Sequence, residues 1–128
     1  MPEKKEHIKG KILIVDDEQA IRESLMMVLQ DEGYSCEGVS NALQALEVVE
    51  TKGFDLIITD LMMPRMKGSE LIRKVKKNYP EQHIIILTSY SHADEAAAAL
   101  QAGADDYMLK PVDFDMLLER VKKLVNIN

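Results

Sequence analysis

The run Leu56-Ile57-Ile58-Thr59-Asp60 most constrains what this chain can fold into. An apolar stretch ends abruptly in a carboxylate, and Leu61-Met62-Met63-Pro64 follows at once. A run this apolar reads as a strand buried on both faces, the usual condition of a parallel sheet between two layers of helices. Pro64 and Gly68 then break the chain, which places Asp60 where the strand leaves the core. Two other strands bring charge to what should be the same edge. Lys11-Ile12-Leu13-Ile14-Val15 ends in Asp16-Asp17, and Asp106-Tyr107-Met108-Leu109 ends in Lys110-Pro111. In open α/β sheets that carboxyl edge is where ligands bind.

Helical periodicity fills the gaps between strands. Ile21, Leu25, Val28 and Leu29 predict a first helix through about Glu32, with Gly33 as its C-terminal stop. Tyr34 to Val39 is a more polar strand, suited to a sheet edge. Ser40 or Asn41 can cap a second helix with the stripe Ala42, Ala45, Leu46 and Val49, stopped by Gly53. Leu71, Ile72 and Val75 mark a third helix from about Gly68 to Asn78, and His83 to Thr88 is another apolar strand. Ser91 or His92 leads into Ala93 to Ala102, a helix with few large apolar residues that should sit thinly on the sheet. Gly103 ends it, and Asp113 can cap a last helix with Phe114, Leu117, Leu118, Val121 and Leu124 inward. Five strand–helix pairs with short connections predict an α/β fold, a doubly wound five-stranded parallel sheet with five flanking helices.

A length of 128 residues suits one domain, residues 1–128, with a polar lead-in over 1–9 and a core over about 10–126. The last helix closes the chain, so no output domain is expected within it. At 46% hydrophobic and 30% charged, the composition is that of a soluble globular protein. No apolar run approaches the ~18 residues of a membrane span. Met1 to His7 lacks the apolar stretch of a signal peptide, so a cytoplasmic location is expected. A net charge of −6 argues against direct nucleic-acid binding. Cys36 is the only cysteine, so no intramolecular disulfide is possible, and it reads best as a packed strand residue.

The strand ends carry the chemistry. Two charges ~4 Å apart repel by roughly 4 kcal/mol at an effective dielectric near 20. Asp16, Asp17 and Asp60 together therefore call for a cation, and a few carboxylate ligands without a carbonyl cage favour Mg²⁺ over Ca²⁺. Taken alone, Asp17-Glu18 reads equally well as a solvated cap. Lys110 adds a positive charge and Thr88 a hydroxyl at the same edge. Such a set can hold a phosphoryl group, and a carboxylate can serve as its nucleophile.

Asp16-Asp17, Asp60, Thr88 and Lys110-Pro111, each after its own strand, resemble the receiver domain of two-component response regulators. The segments 60–68 and 103–111 resemble that family's longer signatures, and the likeness covers about Lys9 to Asn126. The resemblance implies a flavodoxin-like strand order 2-1-3-4-5. It implies that Asp60 accepts a phosphoryl group from a phosphohistidine on a sensor histidine kinase or phosphotransfer protein. Asp17, Asp60 and the backbone carbonyl of Met62 would ligate Mg²⁺, with Asp16 acting through a water. Lys110 would pair with the phosphoryl oxygens, Thr88 would move toward them, and Tyr107 would turn inward behind it. Met62 and Tyr90 would flank the site, and the Lys110–Pro111 peptide would be cis. The switched face would be made by the fourth helix, fifth strand and fifth helix, and would meet a downstream effector or a linked output domain. The chain is then a signalling switch rather than an enzyme acting on an external substrate, with slow loss of its own phosphoryl group.

Two places depart from the family pattern. Lys67 stands where an acidic residue is common. Asp106 and Arg120 resemble positions of a charged dimer interface, whereas Ala96 and Met116 replace its usual partner charges. Other functions fit less well. A flavin module needs a phosphate-cradling loop after the first strand, where Asp16-Asp17 would repel phosphate. A phosphatase with an aspartyl nucleophile carries a second carboxylate two residues on, where this chain has Met62. A receiver-like module that no longer accepts phosphate fits poorly with Asp17, Asp60, Thr88 and Lys110 all in place.

Overall fold

Strands and helices alternate along the residues that the computed structural model describes, 8–125. They are β1 (Lys11–Val15), α1 (Gln19–Asp31), β2 (Ser35–Val39), α2 (Ala42–Thr51), β3 (Leu56–Asp60), α3 (Gly68–Asn78), β4 (His83–Thr88), α4 (Ala93–Ala102), β5 (Asp106–Leu109) and α5 (Phe114–Val125). A 3-10 turn, Tyr90–His92, precedes α4 in place of a simple cap. All strand pairs are parallel, in the order β2-β1-β3-β4-β5. The expected doubly wound sheet is therefore the observed one. The expected lead-in over 1–9 lies mostly outside the described residues.

Strand alternation sorts the core into two layers. Leu13, Val15, Ile57, Ile84 and Ile86 pack with α2, α3 and α4, while Ile12, Ile14, Leu56, Ile58, Ile85 and Leu87 pack with α1 and α5. Every residue of β3 is buried, as its apolar run requires. Each fully buried Leu or Ile contributes roughly 1.5–3 kcal/mol, so the centre of the sheet is far more firmly held than its margins. The polar strand β2 takes an edge, half-buried along most of its length.

Two local expectations need correction. Phe114 is 40% exposed rather than inward. A helical side chain leans toward its own N-terminus, so at the first residue of α5 the ring lies toward the preceding loop and lines a groove with Ile21, Pro111 and Val112. Gly53 does not stop α2. Lys52 is already extended and donates its N–H to Val48, while Thr51 Oγ1 donates to the Glu47 carbonyl. Of the two expected caps for that helix, Asn41 is the one used, accepting from the Gln44 N–H at 2.9 Å. Gly33 does close α1, with φ +108°. No helix among the described residues is long and apolar enough to cross a membrane.

Candidate functional site

Parallel strands end at one edge, so the last residues of β3 and β4 and those just after β1 and β5 meet there. The β4–β5 register opposes Thr88 to Leu109, which puts Lys110 just beyond the edge, and its N–H donates to the Thr88 carbonyl at 2.8 Å. Asp16 is fully buried, Asp60 is 8% exposed, Thr88 is buried and Asp17 is exposed. One carboxylate oxygen from each of Asp16, Asp17 and Asp60 lies within 4.8 Å of the others. Lys110 Nζ bridges two of them, 3.2 Å from Asp16 Oδ2 and 3.3 Å from Asp60 Oδ1, with Glu18 Oε1 at 3.9 Å.

Charge here is unevenly compensated. Burial pushes the Asp60 carboxyl above its ordinary range, and Asp16 adds to that; Lys110 and the Met62 amide oppose it without prevailing. Burial also disfavours the Lys110 ammonium, but the Asp60 and Asp16 carboxylates outweigh it and hold the lysine charged. One lysine thus faces three carboxylates. A hard divalent cation with oxygen ligands fits that deficit, and convergent carboxylates are the donor set Mg²⁺ takes.

The loop after β3 is tightly folded. Gly68 donates its N–H to the Leu61 carbonyl at 2.7 Å. A Cβ there would stand 3.0 Å from Leu61 Cα and 3.2 Å from the Asp60 carbonyl, so only glycine lets α3 start so close to the site. Met62 is half-buried against the α2–α4 layer. The Lys110–Pro111 peptide is cis.

Of the other sequence candidates, Thr88 Oγ1 donates to the Ser89 carbonyl at 3.3 Å. Tyr107 is 42% exposed. Between them lies a cavity of about 240 Å³, lined also by Ala93, Ala96, Ala97 and Leu100. Tyr90 opens the 3-10 turn, and its side chain lies outside the described residues. Cys36 is half-buried, with its thiol pushed up to about 11 by burial, which fits a packed rather than reactive residue. Asp106 and Arg120 pair with each other at 3.0 Å within the chain.

Sequence reading missed two features. Arg22 donates to the Asp16 backbone carbonyl at 2.7 Å, and the buried Ser69 donates to Glu95 across α3 and α4, with Lys67 4.0 Å from the same carboxylate. The spacing Asp16 to Arg22, one helical turn past the loop, is the only sequence signal for the first. Nothing in the sequence signals the second.

Residues 12–122 match the model of the response regulator receiver domain. The chain belongs to the response regulator receiver family. This receiver is 40% identical over 115 residues to the response regulator MprA of Mycobacterium leprae (strain TN), covering 90% of the chain and 50% of that protein. It thus spans about half the length of the curated relatives it matches. Among solved structures it resembles the CheY-like response regulator receiver domain protein of Methanospirillum hungatei JF-1, with a TM-score of 0.86 at 38% identity, covering 91% of this chain and 93% of that one. It also resembles the signal receiver domain of a signal transduction histidine kinase from Syntrophus aciditrophicus, with a TM-score of 0.84 at 35% identity, covering 91% and 90%. The receiver carries a cluster of three carboxylates at the edge where the fold collects strand ends.

Proposed function

We propose that this receiver is a cytoplasmic, phosphorylation-driven switch that takes a phosphoryl group onto Asp60 from a phosphohistidine of a sensor histidine kinase or phosphotransfer protein. The observation that carries this reading is the Asp16–Asp17–Asp60 cluster with Lys110 set between Asp16 and Asp60. A carboxylate oxygen of Asp60 attacks phosphorus, the P–N bond breaks, and its electron pair leaves with the imidazole, which takes up a proton. Lys110 follows the negative charge from the carboxylates to the phosphoryl oxygens. Thr88 donates its hydroxyl to one of those oxygens in place of the Ser89 carbonyl. Asp16, Asp17 and Asp60, with the Met62 carbonyl, would hold Mg²⁺, which when bound neutralises charge on the transferring group. Met62 would flank the entrance, as would Tyr90 by its position in the chain two residues after Thr88.

The output follows from Thr88. Drawing it toward Asp60 opens room on the side of the 240 Å³ cavity, which the exposed Tyr107 ring can enter. The surface of α4, β5 and α5 then changes shape for a downstream effector protein or a covalently linked output domain. Neither a membrane nor a nucleic acid is a partner of this domain in that reading. Intact-mass measurement after incubation with acetyl phosphate and Mg²⁺ tests it. One phosphoryl adduct is expected on the wild type and none on Asp60→Asn; equal modification of the two sinks the assignment.

A further inference from the structure

The turn between β1 and α1 holds two of the three clustered carboxylates, and its ties to the protein run through Asp16, while Asp17 is exposed. Asp16 Oδ1 accepts from the Glu18 N–H at 2.9 Å, Oδ2 accepts from Lys110, and the Asp16 N–H donates to the Val39 carbonyl at 3.2 Å. The Asp16 carbonyl is held by Arg22, whose Nη1 donates to it at 2.7 Å. Arg22 reaches that carbonyl by laying its stem across the edge strand at Gly38. A Cβ on Gly38 would stand 3.5 Å from Arg22 Cδ, 3.9 Å from Arg22 Cβ and 3.0 Å from Met26 Sδ. Gly38 is not among the residues with positive φ, so space, not backbone freedom, accounts for a glycine in mid-strand.

We infer that Arg22 is a positioning residue for the metal and phosphoryl site, holding the Asp16–Asp17 turn by its backbone while its stem passes over Gly38. The inference rests on the reading of Asp16, Asp17 and Asp60 as a Mg²⁺ site. Without a cation these carboxylates repel, and the exposed Asp17 can relieve the repulsion by swinging outward with its turn. A tie to the Asp16 carbonyl opposes that swing without occupying any carboxylate oxygen. It keeps the ligands convergent, so less ordering is left to be done on binding. Arginine suits the task because its guanidinium stays charged and donates from a rigid fork, whereas a lysine offers a mobile point charge.

Calorimetric Mg²⁺ titration of the full chain, with metal-free melting for each variant, tests this. Arg22→Met keeps a stem over Gly38 and loses the donor. Its Mg²⁺ Kd is expected to rise by about tenfold or more, as for other residues that orient metal ligands, with metal-free melting near wild type. Arg22→Lys should recover part of the affinity. A wild-type Kd in Arg22→Met, beside a lost site in Asp17→Ala, overturns the inference alone. So does reduced metal-free stability with an unchanged Kd, which makes Arg22 a packing residue. A wild-type protein that binds no Mg²⁺, or Asp17→Ala binding as well as wild type, overturns the site reading and the inference with it.

Discussion

Asp60 is held under opposed influences, and their balance is a statement about stability. Burial and Asp16 disfavour its charge more than Lys110 favours it, so its proton is bound more tightly in the folded protein than in the unfolded chain. Stability from such a group is complete below the unfolded carboxylate range near 4 and is lost as pH rises through the higher folded value. At neutral pH in the absence of metal, ionised Asp60 is therefore a net cost. Asp60→Asn keeps the shape and removes the charge. It should melt higher than wild type in the presence of a chelator at pH 7, and the difference should shrink toward pH 4. A chelated variant melting below wild type at pH 7 would mean that the Lys110 pair outweighs burial and the Asp16 repulsion.

Among the elements, α4 is the one placed to respond. Its contacts with the sheet are mainly through the small residues Ala96 and Ala99, and Leu100 is 37% exposed. The sequence suggests a loosely held helix; the structure adds an anchor. Glu95 in its first turn accepts from Ser69 of α3, so the N-terminal end of α4 is pinned while the side toward Tyr107 borders a cavity. A helix fixed at one end and loose along one side can pivot, which is what a phosphoryl group pulling on Thr88 would bias. Beryllofluoride should perturb amides from Thr88 through Tyr107 more than those of α1 beyond Ile21. Thr88→Ala should still accept phosphate at Asp60 but lose most of the response at Tyr107 and α4. Amide shifts in that variant equal to the wild type would break the proposed link from Thr88 to Tyr107.

For the molecule as a whole, the sheet edge gathers more negative charge than one lysine offsets, so a cation held there would stabilise the entire fold. Saturation at ~100 times the dissociation constant adds about 2.7 kcal/mol, which for a domain of this size is about 10 °C in melting temperature. Asp17→Ala should lose most of that Mg²⁺-dependent rise while melting at or slightly above wild type in chelator, because it removes one of the repelling carboxylates and no ion pair with Lys110. A rise unchanged from wild type would place the ion elsewhere.

By itself the sequence determined the element order, the two-sided burial of β3 and β4, the edge position of β2 and the arrival of Asp16, Asp17, Asp60, Thr88 and Lys110 at one sheet edge. These are legible because periodicity and strand ends are local properties, and a parallel sheet brings every such end to one side. Their spacing in space was not. Lys110 meets Asp16 across 94 positions of chain, a contact set by strand register rather than by any local pattern. Phe114 turned outward because helix direction, not its stripe, decides the first residue of α5. Ser69 and Glu95, and Arg22 with Gly38, became partners only once packing had chosen which helices touch and where the edge strand leaves room. Polar contacts between distant elements carry no sequence period, so the fold alone decides them.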